Sequence, residues 1–232
     1  MSSEDLVSVL QQLAEVLQTQ RTLGAALAGI AEAATVSVPG CEAASISISI
    51  AGRPATAAVT ARVALELDMV QYDTQDGPCL TAFQSMSTIR VSLVDQGDAV
   101  PHFAEAARRK GMRGVLSVPA TWGEEVVATL NLYSRSGPFD ESAESISSVL
   151  AAQVAIAVSR SPEFAAARGV VEQAQRDADD DAEVNIATGL LMVNESCTAE
   201  QAEGLLRQAA NHDERTVLQI AQRMIQQHHT SR

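Results

Sequence analysis

The hydrophobic positions of this chain change period twice. Leu6, Leu10, Leu13 and Leu17 recur at helical spacing with Val9 and Val16 beside them, which predicts a helix over 4–20. A second helix is predicted from about Leu23 to Val36, ahead of the breaker pair Pro39–Gly40. From Ser45 to Ile50 the period becomes two, placing Ile46, Ile48 and Ile50 on one face of a strand. Ala57, Val59, Ala61 and Val63 alternate next, then Ile89, Val91 and Leu93, then the run Val115 to Ala120. A short Trp122-Gly123-Glu124 turn leads into a fifth strand that carries Val126, Ala128, Leu130 and Leu132 on one face. Hairpin-like pairs of this kind predict a mostly antiparallel sheet rather than a parallel doubly wound one. Helical segments are expected between strands two and three and between three and four, and a long helix over about 142–158 closes the domain.

The helical period then returns. Ser161-Pro162-Glu163 is a helix start, with a capping Ser, Pro in the first turn and an acid near the positive end. Val171, Ala174, Ala178, Asp181 and Asn185 fall at alternating three- and four-residue steps, as in a weak coiled seam. The acidic run Asp177 to Glu183 admits a second reading, a solvated tether, but no Gly or Pro breaks it and a continuous helix is preferred. Beyond it lie three short amphipathic helices. The first puts Ile186, Leu190 and Val193 on one stripe, with Ala187 and Leu191 beside them. Thr198 stands three residues before Gln201, a capping-box spacing, ahead of Ala202, Leu205, Leu206 and Ala209. Asp213 is the candidate cap of the third helix, whose inward face is Val217, Ala221, Met224 and Ile225. The fold class is therefore α+β: an antiparallel sheet with flanking helices, then a helical linker and a small three-helix bundle. The expected boundaries are 1–20 for an N-terminal helix read as a dimer contact, 21–160 for the sheet domain, 161–183 for the linker and 184–232 for the bundle.

Composition narrows the function. Aromatics make up only 3% of the chain, so the cores must rest on Ala, Val, Leu and Ile. A net charge of −13 argues against generic nucleic-acid or acidic-membrane binding, and so against DNA. Residues 168–232 hold six Arg against eleven Asp and Glu, so RNA binding there would need a local Arg face. The N-terminus MSSEDLVSVL lacks the positive region of a signal peptide, and no uninterrupted apolar stretch is long enough to cross a bilayer, so a cytoplasmic location is expected. Cys41, Cys79 and Cys197 are widely spaced without a CxxC pair and read as reduced thiols.

Catalysis has no candidate set. His102, His212, His228 and His229 show no catalytic or metal-ligand spacing, and His228-His229 reads as a frayed polar tail. No phosphate-cradling Gly-rich loop is present. Cys79 follows Gly77-Pro78 at a helix entry, where a thiol pKa can fall, but a small buried residue at a turn is the preferred reading and no cofactor is expected. Arg108-Arg109-Lys110 reads as the basic end of a helix before Gly111.

Two motif sets resemble known families. Asp76-Gly77-Pro78-Cys79-Leu80, Pro101 to Ala107 (PHFAEAA), Gly114 to Pro119 (GVLSVP) and Leu130 to Ser134 (LNLYS) resemble the GAF domains found upstream of ANTAR modules, over roughly residues 20–160. The resemblance implies a sensor with a small-molecule pocket behind its sheet, placed near Tyr72, Asp76, Arg90, His102 and Arg113. Some GAF domains attach bilins through Cys, and others bind cyclic nucleotides through a spaced Asn, Lys, Phe, Asp and Glu set that this sequence lacks. Ala187-x-Gly189-x-Leu191-Met192, Ala202-x-x-Leu205-Leu206-Arg207 and Ile220-Ala221 resemble the ANTAR domain, a three-helix module that binds RNA in bacterial antitermination regulators. That implies stem-loop RNA as partner, with Arg207, Arg215 and Arg223 as phosphate donors and Asn211 and His212 as base readers. Where family members carry Lys, Phe, Asn and Lys, this chain has Thr188, Glu203, Glu214 and Thr216. Two functions stay open: a homodimeric antitermination regulator, and an interaction or scaffold protein of the same fold that no longer binds RNA.

Overall fold

The computed structural model describes residues 22–50, 53–94 and 100–230. The predicted leucine-striped helix over 4–20 lies outside the described residues. The chain divides into two compact units, 1–168 and 169–232.

The first unit is built on a five-stranded sheet: β1 (Ala43–Ile50), β2 (Arg53–Val59), β3 (Ile89–Ser92), β4 (Gly114–Trp122) and β5 (Glu125–Ser134), in the order β2-β1-β5-β4-β3. Every neighbouring pair is antiparallel. The β4–β5 hairpin turns through Gly123 at φ +63, a value that favours glycine. One sheet face is apolar. Ile46, Leu116, Val118, Ala128, Leu130 and Leu132 meet α1 (Leu23–Ser37) and α5 (Glu141–Ser159), which contribute Leu27, Ile30, Ala34, Ile146, Leu150 and Val154 to one core. Thr22 caps α1 and Asp140 caps α5, each by accepting a backbone N–H one turn on. By length and apolar composition α5 is the one described helix that could cross a membrane. Glu141 and Glu144 interrupt its first turn, and its apolar residues pack against the sheet.

The other face differs. α2 (Arg62–Thr74), α3 (Pro78–Ser85) and α4 (Pro101–Arg109) cover it. Ala43, Leu67, Val91, Phe103, Met112, Val115 and Tyr133 form a second core there. Beside this core the sheet face turns polar: Ser45, Ser47, Ser117, Thr129 and Asn131 are all buried. The alternation read at SISISI therefore separates two buried faces, one apolar and one hydroxyl-bearing.

A single 33-residue helix, α6 (Pro162–Asn194), follows. Ser161 starts it by accepting from the Phe164 N–H at 3.1 Å and donating to Glu163 at 2.7 Å. In the second unit the last turns of α6 pack with α7 (Ala199–His212) and α8 (Val217–Thr230) around Ala187, Leu206, Ala210, Ile220 and Ala221. The inward stripe of α6 is Val184, Ala187 and Leu191, whereas Ile186 is 54% and Val193 78% exposed. Both stripes satisfy a 3.6-residue period, so periodicity alone does not choose between them. Leu205 is likewise outward and Ala210 inward. Thr198 and Gln201 form the expected capping box. Thr216, not Asp213, caps α8: its hydroxyl accepts from the Gln219 N–H at 3.2 Å while the Gln219 side chain accepts from the Thr216 N–H at 3.1 Å. Asp213 closes the C-terminal end of α7. The helical backbone of α8 runs through His228 and His229 rather than fraying before them.

Candidate functional site

Cross-strand register assembles the polar patch. Ser45, Asn131 and Ser117 are neighbours on β1, β5 and β4, and Thr56, Ser47 and Thr129 are neighbours on β2, β1 and β5. A β-bulge in the β1–β2 pairing between Ile46 and Ser47 keeps Thr56 beside Ser47. Ser117 Oγ donates to Asn131 Oδ1 at 2.8 Å, and Asn131 Nδ2 donates to Ser45 and Ser47 at 3.3 and 3.2 Å. From α2, fully buried Asp68 accepts three hydroxyls: Ser45 at 3.0 Å, Thr56 at 2.9 Å and Tyr133 at 2.8 Å. Tyr72, half-buried one turn later, donates to Ser47 at 2.7 Å.

Burial pushes the Asp68 carboxyl up to about 6, against the three hydroxyl bonds that pull it down. No cation takes part in that balance. Burial, with the Asp68 charge nearby, also raises the Tyr133 and Tyr72 hydroxyls and lifts the Cys79 thiol to about 11. The three other groups are therefore neutral at physiological pH and Asp68 holds the charge.

The Gly77-Pro78-Cys79 run now has a physical reason. The Gln71 amide lies where a Cβ on Gly77 would sit, 2.3 Å from its Oε1, and Gly77 adopts φ +149. Pro78 opens α3, and the Cys79 N–H donates to Gln71 Oε1 at 2.8 Å. Cys79 is buried facing Ser47, Asn131 and Thr129, so the helix entry does not activate its thiol. Two buried polar atoms of this region make no hydrogen bond: Gln71 Nε2 and Thr129 Oγ1.

Of the residues placed at the pocket from sequence, only Tyr72 joins this network. Asp76 lies at the entry of α3 and accepts the backbone N–H of exposed His102 at 3.3 Å. Arg90 reaches Glu144 of α5 at 3.7 Å, on the other side of the sheet, and Arg113 is exposed before β4. Asp68, Gln71, Asn131 and the serines were missed because their spacing reads as an ordinary amphipathic helix and alternating strands. The basic run is used structurally: Arg108 donates to the Leu93 carbonyl at 2.6 Å, Arg109 pairs with Glu105, and Lys110 pairs with Glu66.

In the second unit, Asn211, His212 and Arg215 gather at the exposed turn between α7 and α8. Among the described residues Arg215 makes no ion pair. Arg207 pairs with Glu203 at 2.9 Å and Arg223 with Asp213 at 2.7 Å. The departures from the family pattern have local roles. Thr188 is 7% exposed and donates to the Val184 carbonyl, Thr216 caps α8, and Glu214 takes a left-handed turn at φ 52.

The GAF domain family matches residues 5–158 and the ANTAR domain residues 172–225. No curated protein matches the chain. Among solved structures, the GAF domain of a phosphoenolpyruvate-protein phosphotransferase from Coxiella burnetii superposes with TM-score 0.54 at 18% identity, over 68% of this chain and 95% of that one. The GAF domain of an Acinetobacter phosphoenolpyruvate-protein phosphotransferase gives 0.53 at 17%, over 74% and 99%. Free methionine-R-sulfoxide reductase from Neisseria meningitidis gives 0.52 at 17%, over 73% and 95%. At these identities the likeness concerns the fold.

Proposed function

Because this chain belongs to the GAF domain family and carries an ANTAR domain behind it, we propose that it is a signal-responsive transcription antitermination regulator. In this reading the GAF domain receives a small molecule at the Asp68 network, and the C-terminal module binds stem-loop RNA near a terminator. RNA contact falls to Arg207, Asn211, His212, Arg215 and Arg223, with Arg215 leading because no acid among the described residues pairs with it. The protein works as a cytoplasmic homodimer without DNA, membrane, cofactor or catalytic step. The single observation that carries the reading is the ANTAR match at 172–225 directly behind a sensor domain.

The test is a mobility-shift titration of the full chain against stem-loop RNAs from the host transcriptome. Binding that prefers particular loops, loses that preference in His212→Ala and weakens across all stem-loops in Arg215→Ala supports it. A second reading, a scaffold of the same fold without RNA affinity, is favoured by one observation: Thr188 and Thr216, at the family's basic positions, are engaged in helix packing and capping. Absence of any shift at low salt would give the case to that reading.

A further inference from the structure

A sheet face covered by helices is ordinarily apolar, because a buried polar group is unfavourable unless bonded. Here four strands and α2 direct Ser45, Ser47, Thr56, Ser117, Thr129, Asn131, Asp68, Gln71 and Tyr72 into one region. Two of its fully buried groups have no partner. Gln71 Nε2 is a free donor, and the Thr129 hydroxyl is both donor and acceptor; both residues neighbour Cys79. The network includes one ionisable group that is charged near neutrality, and among the described residues no Lys, Arg or His bonds to it. Its rim is open at Tyr72 and Thr56, both half-buried.

We infer that this network receives a small organic cation bearing an amino or amidino group and one neutral hydrogen-bond acceptor, and that it rejects phosphorylated ligands. The inference rests on the sensor reading of the GAF domain given above. The ammonium or amidinium sits against the Asp68 carboxylate, which now accepts only from neutral hydroxyls. The acceptor takes the Gln71 amide, and the Thr129 hydroxyl completes the set. An anion in the same place would meet a buried carboxylate with no countercharge, which low-dielectric surroundings penalise heavily.

Titration follows from the groups that face Asp68. β1 and β2 present only the hydroxyls of Ser45, Ser47 and Thr56, while Tyr72 from α2, Cys79 from α3 and Tyr133 from β5 are held protonated by burial. Protonation of Asp68 alone therefore competes with the cation. Affinity is expected to be level above pH 7 and to fall about tenfold per pH unit once pH drops below the Asp68 pKa.

The experiment is isothermal titration of the full chain between pH 5 and 8 with ethanolamine, glycinamide and 4-hydroxybenzamidine as cationic probes, each carrying one neutral oxygen acceptor. Inorganic phosphate and cyclic GMP are the anionic ones. At least one cation is expected to bind at pH 7.5 with the stated pH dependence, and to weaken at least about thirtyfold in Asp68→Asn. Gln71→Leu, which leaves the carboxylate in place, should weaken it less. Neither anion should bind. Binding of phosphate or cyclic GMP, silence of all three cations, or cation binding indifferent to pH and to Asp68→Asn would each overturn the inference. Mobility shifts on the same preparations separate the two proposals: RNA binding with silent cations removes the ligand and keeps the regulator, and cation binding without RNA does the reverse.

Discussion

The two units of this protein treat polar side chains in opposite ways. The sensor turns them inward, where Asp68, Asn131, Tyr133 and three serines form a buried hydrogen-bonded network. The C-terminal module turns them outward, where Arg207 and Arg223 pair with acids in solvent. Solvent decides what such groups are worth. A buried carboxylate without a cation is held by geometry at a cost of several kcal/mol, whereas an exposed pair contributes about 0–1 kcal/mol and yields readily to a competing phosphate. Inward polarity is thus costly to assemble, and outward polarity leaves side chains free to exchange partners.

The largest expected effect tests the inward half. Asp68 has a folded-state pKa of about 6 against 3.8 for the free group, so the folded state keeps its proton longer than the unfolded one. Its unfavourable contribution is absent below pH 3.8, grows as pH rises and is complete above about 6. The shift corresponds to roughly 3 kcal/mol. Urea denaturation of the wild type and Asp68→Asn should therefore diverge between pH 4 and 7, the wild type losing stability relative to the variant. Parallel curves would mean that the carboxylate is solvated rather than buried.

A glycine in each unit gives the next contrast. Gly77→Ala forces a Cβ into the Gln71 amide at φ +149, and is expected to destabilise by about 2–3 kcal/mol. At Gly189, in the interior of α6, nothing lies within 4 Å of where a Cβ would stand, so Gly189→Ala should stabilise the second unit by about 1 kcal/mol. Thermal melts of both variants check the pair. Equal effects of the same sign would erase the distinction.

These positions also explain what the sequence made legible. The antiparallel pairing, the starts of α6 and α7 and both domain types follow from period changes, caps and motif runs that act locally, such as Ser161 ahead of α6 or Thr198 with Gln201. Only Tyr72 of the expected pocket residues joined the network. Asp68 and Asn131 are 63 residues apart and meet only through strand register, and their amphipathic spacing looks the same whether the polar face meets water or a helix. Likewise Ile186 and Ala187 both lie on plausible stripes of α6, and packing against α7 and α8 selects Ala187.

Substitution toward the family pattern has a smaller expected effect. Thr188→Lys places an ammonium at a 7% exposed site and removes the bond to the Val184 carbonyl, and should lower module stability by about 1–2 kcal/mol. Thr216→Lys removes the α8 cap, which contributes about 1 kcal/mol. Circular dichroism melts of the two variants and the double variant check this. If the double variant is instead as stable as the wild type and gains RNA affinity, both positions face the RNA and the capping account is wrong.

The smallest effect decides how many arginines the outward surface lends to RNA. Arg207→Ala and Arg223→Ala should each change folding stability by less than about 0.5 kcal/mol, since their acids remain solvated. RNA affinity is the sharper readout. Each arginine–phosphate contact adds about −0.7 to the slope of log affinity against log salt. If phosphate displaces Glu203 and Asp213, all three arginines contribute and the slope is about −2; if the ion pairs persist, Arg215 acts alone and the slope is about −0.7. The expected result is about −2, because pairs this exposed are weak, with each alanine variant flattening the slope by one step. A wild-type slope near −0.7 that Arg207→Ala and Arg223→Ala leave unchanged would mean that the internal pairs hold and that Arg215 acts alone.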